Sequence, residues 1–354
     1  DCFGIQRCSG EIPAVCARIA IVYNKPEVSR YSSRGEDTAV LGVLESVEAV
    51  NKALVELKHD VVLLPLSPGD DIKNSLASVG ADLLFNLFEG FCGFPETEAL
   101  VPDFAEELRI PYTGCPSSVL RLALNKAKAK ALLKSAGIRT PSGQVLKPEN
   151  LGDFNLTYPC IVKPCSEDAS HGISDLSVVE DLAGLTRQVN MISNAYGGQA
   201  LVEEFVGGRE FNATVMGNTE YTALPPSEIV YTLPEGMPKL LTFAAKWEIG
   251  SVYYLNTQLT CPAKISPAEK RAITMTIVKV YQLFGCKGYA RVDMRLDKEG
   301  KVNVIEVNPN PDISPGTGAA RQADAAGMTY ARFMDKIINL AFERFPWVQP
   351  ASVR

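Results

Sequence analysis

The amino-acid sequence predicts a mixed α/β (α+β) protein, with an open parallel α/β layer first and two further α+β subdomains after it. Apolar runs of strand length alternate with helical patterns over the first third of the chain. A helical pattern that stops at Gly137 then opens a second block, and two strand patterns around residues 299–300 predict a hairpin. The length of 354 residues agrees with two or three domains of about 100–200 residues each.

The parallel layer is expected over residues 18–118, after a loosely ordered extension at 1–17 that lacks the pattern of a secretory signal. Alternating strands and helices favour parallel strands, because parallel neighbours need a crossover connection. The expected strands are Arg18–Tyr23, Val61–Leu66, Asp82–Phe88 and Ile110–Thr113, and the expected helices are Ala39–Leu57 and Glu96–Leu108.

Two more domains are expected at 119–200 and 201–348. The central one should contain helices Leu120–Ala136 and Asp181–Ser193 and strands Gly143–Leu146, Tyr158–Lys163, Leu176–Val179 and Ala200–Glu204. The last should contain strands Glu210–Met216 and Tyr221–Leu224, helices Pro267–Leu283 and Thr329–Phe345, and the hairpin. Residues 225–262, here called the lid segment, lack clear periodicity, which is typical of lids over active sites.

Composition narrows the function. A net charge of −6 argues against nucleic acid as a partner, and no apolar run is long enough to predict a membrane span. Nine cysteines without a CxxC pair indicate a reduced, cytoplasmic protein. Only two histidines are present, which argues against a zinc site and against a Ser-His-Asp catalytic triad. Any catalysis is therefore expected to depend on Lys, Arg, Asp and Glu.

The hairpin has the sharpest chemical pattern. A symmetric two-residue turn at 299–300 pairs Asp293 with Glu306 and Arg291 with Asn308, which places all four side chains on one face. Carboxylate and amide oxygens suit Mg²⁺ that bridges phosphates, and Arg291 adds a cation beside them. A solvated cross-strand ion pair explains the hairpin alone equally well, so cations elsewhere must decide between the two interpretations.

Three lysines are candidates to neutralise a transferred phosphoryl group. Lys163 ends an apolar run just before Ser166–Gly172, here called the phosphate loop, whose small and polar residues can turn backbone N–H groups toward phosphates. Lys246 lies in the lid segment and Lys126 in the first turn of its helix. A solvated helix face is expected for Lys128, Lys130 and Lys134. No P-loop or Rossmann glycine pattern is present, so phosphates must be held in another way.

Seven segments in order and spacing resemble the ATP-grasp superfamily, and specifically the D-alanine–D-alanine ligases. They are IPYTGC (110–115), LNKAKAK (124–130), YPCIVKP (158–164), LVEEFVGGREF (201–211), CPAK (261–264), GCKGYARVDMRLD (285–297) and IEVNPNP (305–311). The resemblance spans roughly residues 18 to 345. It implies a three-domain ATP-grasp fold that clamps ATP between the central and C-terminal sheets, a role in peptidoglycan biosynthesis, and a homodimer through the N-terminal domain.

The resemblance also implies roles for single residues. Lys126, Lys163 and Lys246 would bind the ATP phosphates, and Arg291 would stabilise the acyl-phosphate or tetrahedral intermediate. Two Mg²⁺ ions, with Mn²⁺ as an alternative, would be bound by Asp293, Glu306 and Asn308. The adenine would be lined by Glu203, Glu204, Phe205 and Val206, and the ribose would be held by Glu210.

The departures from the family pattern concern the amino-acid side of the site. Leu41 stands where the family has an acid for the first substrate's ammonium, and Ala169 replaces the catalytic serine, which leaves Ser170 as the candidate. Trp247 replaces the tyrosine after the lid lysine, and Asp312 replaces a glycine. Asp312 and Thr317, near the place of a serine for the second carboxylate, are the candidate substrate contacts.

Three hypotheses stay open. The first is a ligase of D-alanine–D-alanine type that forms an acyl-phosphate and then a dipeptide, and the second is a ligase for other amino acids or a peptide. The third is a nucleotide-binding regulatory protein without chemistry, which the paired carboxylates disfavour because simple binding needs no two-metal site. A nicotinamide-dependent dehydrogenase lacks its glycine pattern.

Overall fold

The structure, a computed structural model, describes residues 16–30, 38–167 and 170–346, with the side chains of 38–41 outside that description. Most of the expected extension at 1–17 therefore lies outside the described residues, as do Ala169, the side chain of Leu41 and residues 347–348. Within the described ranges, no helix combines the length and apolar character needed to cross a membrane.

The first sheet is parallel, as predicted, with strand order β2-β1-β3. Its elements are β1 (Arg18–Asn24), α1 (Thr38–Glu56), β2 (Asp60–Leu66), α2 (Ile72–Ser78), β3 (Leu83–Asn86) and α3 (Leu100–Leu108). The strand expected at Ile110–Thr113 is reduced to a single parallel bridge between Tyr112 and Leu84. Pro111 has no N–H to extend the ladder at one end, and at the other the Asn86 N–H donates to the Thr113 hydroxyl oxygen at 2.9 Å. The short helix α2 was not predicted.

The second sheet is antiparallel, with strand order β4-β7-β5-β6. Its elements are α4 (Ser117–Leu124), α5 (Lys126–Ser135), β4 (Gly143–Leu146), β5 (Cys160–Pro164), β6 (Val178–Val179), α6 (Leu182–Tyr196) and β7 (Ala200–Glu204). The single helix expected at Leu120–Ala136 is wrong. The helix is interrupted at Asn125. The Asn125 side chain accepts a hydrogen bond from the Lys128 backbone N–H at 3.0 Å and so caps the N-terminus of α5.

The third sheet is antiparallel and has six strands in the order β11-β10-β8-β12-β13, with β9 paired to β8. Its elements are β8 (Glu210–Gly217), β9 (Tyr221–Ala223), β10 (Ser227–Tyr231), α7 (Phe243–Trp247), α8 (Val252–Leu255), β11 (Thr257–Thr260), α9 (Pro267–Phe284), β12 (Tyr289–Leu296), β13 (Val302–Asn308), α10 (Gly318–Ala325) and α11 (Tyr330–Arg344). The lid segment thus contains four short elements that its sequence did not predict.

The final helix returns to the first sheet. Phe333, Met334 and Ile337 of α11 are buried with Ile21 of β1 and Val43 of α1 in one apolar cluster. The expected domain limits stay predictions. Because β7 pairs within the second sheet, we propose that the boundary expected at 200/201 falls after the end of this strand.

Candidate active site

A β-bulge sets the register of the β12–β13 hairpin. Near the turn, Leu296 pairs with Val302 and Met294 with Val304, one residue away from the predicted register. The turn is closed by the Gly300 N–H donating to the Asp297 carbonyl at 2.9 Å, so the symmetric two-residue turn is wrong. An extra residue, Ile305, then restores the predicted pairs of Asp293 with Glu306 and Arg291 with Asn308.

The bulge also explains which side chains face the core. Val304 and Val307 both enter the apolar cluster beneath the sheet, although they are three positions apart. A regular strand would turn every second residue the same way, so three positions require a change of phase. The polar residues Glu306 and Asn308 therefore lie on the opposite, half-buried face.

Each carboxylate of the hairpin lies against a cation. The Nε and Nη2 atoms of Arg291 donate to the two carboxylate oxygens of Asp293 at 2.7 and 2.9 Å. Glu306 Oε1 lies 2.9 Å from Nζ of Lys126, which is 8% exposed. Burial raises the pKa of Glu306, but Lys126 and Lys163 outweigh that effect and hold it at about 2. Asn308 accepts a hydrogen bond from the Asn310 N–H at 3.0 Å.

A second buried carboxylate joins two lysines. Glu203, which is 1% exposed, forms ion pairs with Lys163 and Lys130. Burial raises its pKa, but the two lysines lower it further than burial raises it. The solvated position expected for Lys130 is therefore wrong: this lysine is 6% exposed and also donates to Thr140 Oγ1 at 2.9 Å. Its spacing of four from Lys126 was the sequence signal that the two share a helix face.

The lid segment carries Lys246 to the same place. Lys246 lies on α7, which begins after Thr242, whose side chain accepts from the Ala245 N–H at 3.0 Å. The pKa of Lys246 is lowered, because burial and the neighbouring Arg291 lower it by more than Asp293 and Glu306 raise it. These four groups interact electrostatically, so the lid lysine and the hairpin form one charge cluster. The following residue, Trp247, packs against α1, where a Cβ on Gly42 would lie 3.6 Å from its ring.

The phosphate loop lies between β5 and β6. Its Ser170 has a left-handed φ of 64°, and its carbonyl accepts from the Ile173 N–H at 3.0 Å. His171 is buried, and its ring lies 5.4 Å from that of Phe243 in the lid segment. Lys126 donates from Nζ to the Glu167 carbonyl at 2.6 Å, which ties α5 to this loop.

The expected nucleotide-base residues lie at the end of β7 and directly after it. Glu204 accepts from the Thr157 N–H at 3.3 Å, the Phe205 ring lies 4.9 Å from the Arg295 guanidinium, and the Val206 carbonyl accepts from Arg295 at 2.8 Å. Glu210 lies 2.8 Å from Nη2 of Arg295 and accepts from the Tyr231 hydroxyl at 2.7 Å. Arg295 thus connects the expected base residues Phe205 and Val206 with the expected ribose residue Glu210. No local sequence pattern indicates this role, because these partners are remote from Arg295 in the chain.

The two expected substrate contacts lie on the segment after β13. Asp312 is exposed, and its Oδ1 accepts from the Ser314 N–H at 2.8 Å and hydroxyl at 2.7 Å. Thr317 precedes α10, and its hydroxyl donates to the Ser314 carbonyl at 2.8 Å. Gly318, at the start of α10, is close enough to the hairpin that a Cβ there would lie 3.9 Å from Arg291 Cδ.

The two antiparallel sheets supply Lys163, Arg291 and the carboxylates, and helices α5 and α7 supply Lys126 and Lys246, while a parallel layer packs beside them. This arrangement defines an enzyme of the ATP-grasp class. The D-alanine–D-alanine ligase of Bacillus anthracis, whose crystal structure is of a complex with ATP, has the same fold. The likeness has a TM-score of 0.71 at 20% sequence identity, and covers 94% of this chain and 99% of that one.

Comparison of the amino-acid sequence with known proteins identifies the family within this class. The family described as "D-ala D-ala ligase C-terminus" matches residues 132–339. A D-alanine–D-alanine ligase of Gluconobacter oxydans is 30% identical over 307 residues, which is 85% of this chain and 94% of that protein. An uncharacterized protein of Sinorhizobium fredii, y4sG, is 33% identical over 264 residues, or 74% and 75% of the two chains. The chain belongs to the D-alanine–D-alanine ligase family, whose members are ATP-dependent ligases.

Proposed function

We propose that this protein uses ATP to activate the carboxylate of one amino acid and joins it to the amino group of a second, with D-alanine as both substrates. The observation that supports this most directly is the cluster in which Lys126 and Lys246 interact with the paired carboxylates Asp293 and Glu306. With Arg291 the cluster holds three cations beside two carboxylates, and this surplus of cations suits phosphoryl transfer to a carboxylate, which gathers several negative charges.

We assign the nucleotide to the space between the second and third sheets. Lys126, Lys163 and Lys246 would neutralise its phosphates, while Glu203, Glu204, Phe205 and Val206 would line the base and Glu210 the ribose. Glu203 forms ion pairs with Lys130 and Lys163, so its side chain fixes the position of both lysines. These assignments rest on the resemblance to the ATP-grasp family, and the charge pairs of Lys126 with Glu306 and of Lys163 with Glu203 support them.

The residues present fit magnesium. In the described ranges, His, Cys, Asp and Glu form no group of three or more that would hold a metal ion without help. Asp293, Glu306 and Asn308 are instead two carboxylates and an amide on one face, the kind of incomplete oxygen set that binds Mg²⁺ together with phosphate oxygens. We propose Mg²⁺ there, two ions in the full complex, with Mn²⁺ as a substitute. Bound metal would withdraw charge from the transferring phosphoryl group.

The chain's own residues then have separate tasks. Lys163 and Lys246 stabilise the γ-phosphoryl group as a carboxylate oxygen of the first amino acid bonds to its phosphorus, the bond to the bridging oxygen breaks and ADP leaves with the electron pair, which gives an acyl-phosphate. The neutral amine of the second amino acid attacks the acyl carbon, and Arg291 stabilises the oxyanion that results. The bond from that carbon to the phosphate oxygen then breaks, phosphate leaves with the electron pair, and the amine loses a proton to give the peptide.

The amino acids are assigned to the segment beside Arg291. Asp312 presents a carboxylate that suits an ammonium group, and Thr317 precedes the α10 N-terminus, which favours a carboxylate. Ser170 is the candidate hydroxyl on the phosphate loop. We also propose that the protein acts in the cytoplasm, that it takes part in peptidoglycan biosynthesis, and that it forms a homodimer through its N-terminal domain.

A ligase for other amino acids is the second candidate, and the lid segment favours it. Trp247 packs on Gly42 of α1, so a large apolar ring lies between the lid segment and the parallel layer. Such a ring changes the shape of a pocket for a small amino acid. The reaction would be the same, with a different first substrate.

Purified protein tested with ATP, Mg²⁺ and single amino acids of both configurations decides between the candidates. We expect ADP release and a D-alanyl-D-alanine product by mass spectrometry. ADP release with another amino acid, and none with D-alanine, would establish the second candidate. Nucleotide binding without ADP release for any amino acid would instead indicate the regulatory protein.

A further inference from the structure

One ion pair connects the amino-terminal layer to the phosphate loop. It joins the Arg30 guanidinium, in the segment after β1, to the Glu167 carboxylate. The Glu167 side chain is 4% exposed and that of Arg30 is 29% exposed. A carboxylate so deeply buried is expensive to leave without a cation, so the position of the loop is coupled to that of Arg30.

Arg30 is itself fixed in the first layer. Its backbone N–H donates to the Cys92 carbonyl at 3.1 Å, and its guanidinium lies 5.0 Å from the centre of the Phe94 ring. A cation over an aromatic face is attracted to it, and the backbone bond holds the residue in place. The charge offered to Glu167 therefore comes from an anchored side chain, on a domain that contributes none of the ATP lysines.

Glu167 passes this restraint to the site. Its carbonyl accepts the Nζ of Lys126 at 2.6 Å, and the same Nζ lies 2.9 Å from Glu306 Oε1. A series of contacts thus runs from Arg30 through the phosphate loop to the hairpin carboxylate. Loops have few ladder bonds of their own, so tethers of this kind determine how well they are ordered.

We propose that Arg30 is a positioning residue: by pairing with Glu167 it holds the described part of the phosphate loop, and with it Nζ of Lys126, in the arrangement that receives the ATP phosphates. The inference rests on the proposed nucleotide site. It makes nucleotide affinity depend on the amino-terminal layer, because weakening the Arg30–Glu167 pair loosens a loop on another domain without removing any group that touches the phosphates.

The test compares Arg30→Gln, Glu167→Gln, the double variant, Arg30→Lys, and Lys73→Gln as a control. Lys73 pairs with Glu107 at 2.8 Å in the same layer, where both side chains are about half exposed. Hydrogen exchange of residues 165–173 is measured without ligand, and the KM for ATP and kcat are measured in turnover. The exchange readout needs no activity, so it separates failure of this inference from failure of the proposed function.

We expect Arg30→Gln and Glu167→Gln each to speed exchange in the loop and to raise the KM for ATP by about tenfold, with a smaller change in kcat. The double variant should be no worse than Arg30→Gln, since both lack the same interaction and the double variant leaves no carboxylate without a cation. Arg30→Lys should recover part of the loss, and Lys73→Gln should match the wild type. Wild-type exchange in the loop, or additive effects in the double variant, would overturn the inference.

Discussion

At the scale of the residue, the candidate site balances buried charges in pairs. Arg291 binds Asp293 through two hydrogen bonds, and Lys126 lies 2.9 Å from Glu306. Removing one member of such a pair leaves the other charge without compensation, which is the costly case for a buried ion. The same side chains that are proposed to perform the chemistry therefore also stabilise the fold.

Glu306→Gln tests both roles. We expect turnover to be lost, because the proposed metal site loses a charge, and stability to fall by about 1–3 kcal/mol, because buried Lys126 loses a charged acceptor. Steady-state ADP release and thermal unfolding measure the two effects. Glu107→Gln, which removes the acid of an exposed pair, should change stability by less than about 0.5 kcal/mol.

The stability effect should also depend on pH. The folded-state pKa of Glu306, about 2, lies below its ordinary value of 4.5. The stabilisation is therefore present above pH 4.5 and is lost as pH falls toward 2. The difference in melting temperature between wild type and Glu306→Gln should be constant at neutral pH and shrink over that window. A difference that persists undiminished to pH 2 would contradict the ion pair.

Residues in the hairpin could be predicted from sequence, whereas several of their neighbours could not. Asp293 and Glu306 oppose each other across one hairpin, so local pairing placed them together. Lys130 and its partner Glu203 are 73 positions apart, and nothing local shows that they meet. Only the family resemblance points to Asp312 and Thr317, and no sequence pattern indicates the hydrogen bonds that both form with Ser314.

At the scale of the element, the bulge at Ile305 keeps the polar face of β13 out of the core. The predicted pairs of Asp293 with Glu306 and of Arg291 with Asn308 were correct, although the predicted turn was wrong. The turn shifts the register by one residue, and the extra residue Ile305 shifts it back by one. The polar and apolar residues of a strand can be read from the sequence, but a bulge changes their alternation at only one residue and is therefore hard to predict. The helix break at Asn125 is similar: the cap is a single Asn inside a continuous helical pattern.

Deleting Ile305 tests the importance of the bulge. Without Ile305, Glu306 directly follows Val304, so a regular β13 keeps the pairs Met294–Val304 and Asp293–Glu306 and still turns Glu306 away from the apolar cluster. The variant should therefore fold, but it loses the bend and twist that the bulge adds beside Glu306, so we expect turnover to fall by more than tenfold. Ile305→Ala keeps the extra residue and should fold with turnover within a few-fold of wild type. Circular dichroism and ADP release give the answer, and a folded, active deletion variant would show that the bulge is dispensable.

At the scale of the whole molecule, the lid segment and the parallel layer meet at a small-residue contact. Trp247 of α7 lies over Gly42 of α1, where a Cβ would be at ordinary van der Waals distance, 3.6 Å, and a longer side chain would reach the ring. Lys246 is the neighbouring residue, so displacement of the ring would move the lid lysine from the hairpin. The third sheet thus depends on the first through the lid segment, as the second does through Arg30.

Substitutions at Gly42 should show this dependence through tryptophan fluorescence. The chain has two tryptophans, and Trp347→Phe leaves Trp247 as the only reporter. In that background Gly42→Ala fits the observed space, and it should keep a blue-shifted emission and wild-type kinetics. Gly42→Leu should displace the indole, shift its emission to the red and raise the KM for ATP, because Lys246 loses its place beside Arg291 and Glu306. Unchanged emission and kinetics in Gly42→Leu would mean that the lid segment reaches the hairpin without support from α1.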